Sequence, residues 1–157
     1  MPRRRRPEHS RSVTAQPPMF KRLLVPVDLS DRNARPLQMA LALARASRAR
    51  VILLHVVLQL ADTPPAELAA FYRRLLQRGQ RRLQVLARPF ARAGIPLRTE
   101  VSIGQPAREI VRAAARHKVD LLVLASHRVR LDRPTLGWGT VSYKVGILCQ
   151  CPVLLVK

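Results

Sequence analysis

Acidic residues are scarce: nine Asp and Glu face 29 Lys and Arg in 157 residues, a formal net charge of +20. Paired-carboxylate chemistry therefore has little to draw on, and Glu100 and Glu109 stand without a partner acid at a useful spacing. Aromatic residues make up only 4% of the chain while hydrophobic residues reach 48%, which predicts an aliphatic core ample for one domain. No apolar run approaches the roughly 18 residues of a membrane-spanning helix. The basic stretch MPRRRRPEHSRSVTAQPP lacks the apolar centre of a secretory signal. Cysteine is confined to Cys149 and Cys151, two apart at the start of a predicted strand, a spacing that places them poorly for a mutual disulfide. No His or Cys flanks them at zinc-like spacing, so they read as reduced core thiols of a cytoplasmic protein. A Walker-type Gly-Lys-Ser/Thr is absent as well.

The charge is spread along the chain. Residues 1–19 hold five Arg and one Glu, so the tail contributes +4 and the remainder +16. Such a field attracts nucleic acid, nucleotides, anionic membranes and acidic proteins without specificity, and a high-arginine composition on solvated faces produces the same charge with no partner at all. Residues 1–18 are polar, proline-flanked and aperiodic, and are expected to be a disordered basic tail. Met19, directly before the first predicted strand, is a candidate translation start that intact-mass measurement on native protein would test.

Beyond the tail, apolar runs alternate with amphipathic stretches. RLLVPVD (Arg22–Asp28) and RVILLHVV (Arg50–Val57) read as strands covered on both faces. Between them Leu37, Ala40, Leu41 and Ala44 share a helical face, with Pro36 acceptable only in a first turn. A long helix opens at Pro64-Pro65, with Arg73, Arg74, Arg78, Arg81, Arg82 and Arg88 opposite its apolar stripe. Pro89 is expected to end or kink that helix, and Gly94 to close the region. LRTEVSIG (Leu97–Gly104) alternates like a half-exposed strand, Ala107–His117 reads as a helix, and DLLVLAS (Asp120–Ser126) as the fourth strand. Thr140–Leu148 and PVLLVK (Pro152–Lys157) supply a last helix and strand. Alternation of this kind with short connections predicts a parallel sheet with helices on both faces.

The segments VPVDLS, VILLHVV, VSIGQPAREIV, DLLVLASHR, GTVSYKV and CPVLLVK, in this order, resemble the universal stress protein domain over essentially Phe20–Lys157, so residues 19–157 are taken as one domain. The resemblance implies a single doubly wound α/β domain of the adenine nucleotide alpha hydrolase-like kind, with five parallel strands in the order 3-2-1-4-5. It also implies a homodimer joined through the last strand, Pro152–Lys157, whose pairing would cover an exposed sheet edge. Ligands in such sheets bind outside the carboxyl ends of the strands where the order reverses, here strands one and four. The positions matching the family's ATP contacts are Pro26, Val27 and Asp28, Val57, Ala125, Ser126 and Arg128, then Gly139, Thr140, Val141 and Ser142. Asp28 reads equally as a cap for the following helix with Ser30, and Val57 equally as core.

The phosphate loop departs from the family pattern of Gly-x-x-Gly, nine residues, then Gly-Ser/Thr. Ala125-Ser126-His127-Arg128 replaces both glycines, and the gap from Arg128 to Gly139 is ten residues. Gly139-Thr140 still leads into a helix, whose first amides and hydroxyls suit a phosphate. A side chain at Arg128 fills the space a phosphate would take, whereas Arg128, Arg130 and Arg133 offer guanidinium groups in exchange. Trp138 reads as a hydrophobic anchor for the loop or as a stacking surface. No catalytic constellation is evident: His127 has no acid to orient it, His55 reads as a hydrogen-bonded core residue and His117 as a helix-end residue. The expectation is a non-enzymatic stress-response protein with an altered site for ATP or another adenine nucleotide, and no metal beyond Mg accompanying ATP. Two alternatives stand beside it: a basic module binding nucleic acid or an acidic protein partner through the Arg73–Arg88 helix face, and an ATP-binding switch with slow hydrolysis.

Overall fold

A computed structural model describes residues 19–60, 65–126 and 139–157. The basic tail 1–18 and the loop residues His127, Arg128, Arg130, Arg133 and Trp138 lie outside the described residues. The elements are β1 (Arg22–Pro26), a 3-10 turn (Asp31–Asn33), α1 (Ala34–Ser47), β2 (Arg50–Leu58), α2 (Pro65–Arg92), β3 (Leu97–Gly104), α3 (Pro106–Arg116), β4 (Leu121–Ala125), α4 (Val141–Leu148) and β5 (Val153–Val156). They form one five-stranded sheet in the order β3-β2-β1-β4-β5, with every neighbouring pair parallel, as the alternation of segments and the family resemblance together implied.

Alternation along each strand divides the core into two layers. Leu23, Val25, Leu53, Leu83 and Phe90 pack with α1 and α2 on one face. Leu24, Leu54, Ile110, Leu122 and Val145 pack with α3 and α4 on the other. The central strands are apolar at successive positions for this reason, because period-two side chains must satisfy both layers. Asp120 joins the starts of β1 and β4, its carboxylate accepting from the amides of Lys21 (2.8 Å) and Arg22 (3.0 Å). Glu100 on β3 holds the end of α3 through Arg116 and through His117 Nε2 at 2.8 Å, so His117 is an inter-element tie as well as a helix-end residue.

Pro36 lies in the first turn of α1 and is buried, and its missing donor is one that no helix start uses. Pro89 does not end α2, which continues to Arg92. It forfeits a single bond to Val85, while burial of Leu83, Ala87 and Phe90 on either side holds the helix to the sheet. The helix then closes through Gly94 at φ +68°, with Gly94 N donating to Ala91 O and Ile95 N to Phe90 O, both at 3.0 Å.

The two cysteines depart from expectation. They do not stand in a strand: α4 ends at Leu148, β5 begins at Val153, and the intervening turn brings the sulfurs to 3.3 Å. The extended spacing assumed from sequence would have kept them apart. Burial, with the neighbouring Cys149, pushes the Cys151 thiol up to about 12, so it is held protonated at neutral pH.

Candidate functional site

The crevice where the strand order reverses holds a cavity of about 510 Å³, within the usual range for small-ligand sites. Leu54, Val56, Ile110 and Leu124 give it an apolar wall, and the loop after β1 and the start of α4 form its polar rim. Eight of the sequence-predicted residues line it: Pro26, Val27, Asp28, Ala125, Ser126, Thr140, Val141 and Ser142. Gly139 directly precedes Thr140 on the chain, and a Cβ there would meet no atom within 4 Å among the described residues.

Val57 is a correction. It faces the α2 side of the sheet and lines a second, open cleft, while Val56 takes the expected place against the first cavity. Successive strand residues point to opposite faces, so a one-residue offset in reading β2 exchanges the two. His55 shares the α2 side: its Nδ1 donates to Val27 O at 2.9 Å, and Gly79 packs so close that a Cβ on it would lie 2.9 Å from the imidazole.

At one end of the cavity Asp28 organises the loop. Its Oδ1 accepts from Ser30 N (3.0 Å), Ser30 Oγ (2.6 Å) and Asn33 Nδ2 (2.7 Å), and its Oδ2 from Arg32 at 2.8 Å. Leu29 between them sits at φ +63°, which lets Ser30 turn back onto the carboxylate at a strain of roughly 1–2 kcal/mol. The capping reading of Asp28 is thus realised, and the carboxylate still borders the cavity. Partial burial raises its pKa, but the Ser30 and Asn33 hydrogen bonds and the Arg32 charge together outweigh it and hold the carboxyl below the usual range. A carboxyl depressed on folding stabilises the protein above its unfolded pKa near 4, and that contribution disappears as pH falls through the lower folded value. Melting temperature should therefore fall less steeply between about pH 4 and 2 in Asp28→Asn than in the parent, as read by thermal unfolding across that range.

At the other end, hydroxyls gather around the α4 N-terminus. Thr140 caps the helix, its Oγ1 accepting from Tyr143 N at 3.3 Å and lying 3.2 Å from Ser142 Oγ. Ser126 Oγ lies 3.4 Å from Ser142 Oγ, and Lys157 Nζ donates to Ser126 at 3.1 Å. Lys157 is delivered here because β5 lies beside β4 and runs parallel to it, so the residue after β5 arrives at the same edge as the residue after β4. Sequence reading placed Lys157 in a dimer strand and missed it as a cavity residue, along with Asn33, Arg35 and Val56. The strand order was sufficient signal for Lys157. Arg35 secures this end by donating to Lys157 O at 2.8 Å.

Residues 19–157 match the sequence profile of the universal stress protein family. The chain belongs to that family. A universal stress protein of Thermus aquaticus is 33% identical over 140 residues, covering 88% of this chain and all of the relative. Universal stress protein YxiE of Bacillus subtilis is 30% identical over 149 residues, again covering 88% of this chain and 100% of the relative. Among solved structures, the universal stress protein UspA from Lactobacillus plantarum superimposes with a TM-score of 0.70 at 26% identity, covering 88% of this chain and 98% of that one. A universal stress protein in complex with cAMP gives a TM-score of 0.65 at 23% identity, with 88% and 97% coverage. Another from Archaeoglobus fulgidus in complex with dAMP gives 0.61 at 19%, with 88% and 98% coverage.

Proposed function

We propose that this universal stress protein is a non-enzymatic regulator whose cavity binds an adenine nucleotide, and an adenosine monophosphate in preference to ATP. The observation that carries the reading is the pairing of an apolar wall with an anion-suited end in one cavity of about 510 Å³. Val27, Leu54 and Val56 suit the base, and Asp28 Oδ2 suits a hydroxyl or amine donor once the exposed Arg32 gives way. The hydroxyls of Ser126, Thr140 and Ser142 with the Lys157 ammonium suit one phosphate. The cAMP and dAMP complexes of the two fold relatives agree with a monophosphate. Replacement of both loop glycines, at Ala125 and Arg128, argues against close backbone cradling of a longer phosphate chain. No step of turnover is assigned to these residues; they bind and orient, and a cytoplasmic location suits such a ligand.

A homodimer completes the reading. β5 is a sheet edge, with Leu155 exposed, and Tyr143, Ile147 and Leu148 of the adjacent α4 are exposed beside it. A second copy pairing strand to strand would cover all four.

The test is calorimetric titration with AMP, cAMP and ATP at about 0.15 M salt, after acid extraction of the fresh preparation. Binding of AMP at about 100 μM or tighter, lost in Val56→Trp, is the expected result. No heat with any of the three and no adenine compound in the extract would sink the nucleotide reading. Light scattering should return twice the chain mass, and Leu155→Arg should halve it.

A further inference from the structure

The outer face of α2 carries a row of exposed basic side chains, on the other side of the sheet from α3 and α4. At alternating steps of three and four residues, with one step of seven across Val85, Phe71, Arg74, Arg78, Arg81, Arg88 and Arg92 fall on one exposed ridge. At 1.5 Å per residue the arginines from 74 to 92 extend about 27 Å. Arg82 flanks the ridge, and Val85 is its single neutral break. Packing onto the sheet uses only the opposite side, through Gly79, Leu83, Ala87 and Phe90.

What distinguishes this ridge from the protein's general basicity is the lack of counter-charge. The described ion pairs join Arg32 to Asp28, Arg112 to Glu109, and Arg116 and His117 to Glu100, all outside α2. From Leu68 to Arg92 the helix contains no acidic residue at all. Like charges one turn apart oppose each other, so the row costs helix stability that a polyanion on it would restore.

Two features select the polyanion. Phe71 is exposed at the N-terminal end of the ridge, held edge-on by Tyr72 with ring centroids 5.6 Å apart. Arg78 and Arg82 border the open cleft of about 600 Å³, whose apolar lining includes Leu29, Val56, Val57, Leu58 and Leu75. Asp28 also borders that cleft, but its oxygens are engaged by Ser30, Asn33 and Arg32. A row of guanidinium groups for phosphates, together with an exposed ring and an apolar recess for unstacked bases, is the chemistry of single-stranded nucleic acid binding. An acidic peptide has no use for the ring, and a duplex keeps its bases stacked away from both.

We propose that the α2 ridge binds single-stranded nucleic acid without sequence preference. The test is fluorescence anisotropy of the full chain with a labelled thymidine 20-mer, its duplex and polyglutamate, over a salt series. The single strand should bind tightest, with affinity falling as roughly the third power of salt concentration for four to five phosphate contacts. Arg74→Glu with Arg78→Glu should weaken it about tenfold or more and flatten the salt dependence. Arg98→Glu with Arg108→Glu, the same change of charge on the opposite side of the sheet, should weaken it less than about threefold. Phe71→Ala should lose about fivefold or more with the salt dependence unchanged. Equal losses from the two charge pairs would reduce the effect to bulk charge and overturn the proposal. So would duplex or polyglutamate binding at least as tight, or an unaffected Phe71→Ala variant.

Discussion

Phe90→Ala should lower the stability of the protein by about 3–5 kcal/mol, read as a fall in the urea midpoint with an unchanged slope. Phe90 is 1% exposed and stands where the last turn of α2 meets the α1-side layer of the core. The fully buried residues around it are Leu, Val, Ile and Ala, whose small branched side chains cannot reach across to fill the space a ring leaves. The backbone there is also fixed: Phe90 O accepts from Ile95 N in the bond pair that closes the helix. The site cannot easily collapse, and the cost should lie towards the upper end of that range. Against a total stability of roughly 5–15 kcal/mol this is a large fraction. Phe71→Ala removes a ring of the same size from an exposed position on the same helix, and should cost less than about 1.5 kcal/mol, mainly its edge contact with Tyr72. A comparable loss from both would mean that α2 does not seat on the sheet as described.

Lys157→Glu should weaken AMP binding at least about tenfold, or about 1.4 kcal/mol, with little change in melting temperature. The Lys157 ammonium is drawn to Ser126 at the α4 N-terminus, and reversal places a carboxylate where the phosphate oxygens would lie. Because Lys157 is solvent-exposed, its charge contributes little to folding, so binding and stability separate. The loss should shrink as salt is raised. An unchanged affinity would remove Lys157 from the phosphate end of the site.

The strands and the helix positions were legible because parallel strands buried on both faces leave continuous apolar runs such as RLLVP and LLVLA, while the strand order was legible only through the resemblance to the universal stress protein domain. Eight cavity residues were legible for a related reason: they sit at the ends of β1 and β4 or the start of α4, where the order reverses. What escaped depends on facing and on three-dimensional return. Val56 and Val57 differ only in which side of β2 they take, and two adjacent valines carry no mark of it. Lys157 enters the cavity only because β5 lies beside β4. The thiols of Cys149 and Cys151 meet because the chain turns between the end of α4 and the start of β5, whereas their spacing in the sequence reads equally as an extended approach to the last strand. Pro89 reads in sequence as a stop or a kink, yet the helix continues through it because the buried neighbours on both sides outweigh the one bond it forfeits.

The most direct measurement is a nitrogen–proton chemical-shift titration of the labelled protein with AMP. Amide shifts should concentrate at Val27–Asn33, Val56, Ser126 and Thr140–Lys144, leaving the outer face of α2 unmoved. Shifts that are absent from these amides, or that gather along Arg74–Arg92 instead, would contradict a nucleotide site at the ends of β1 and β4.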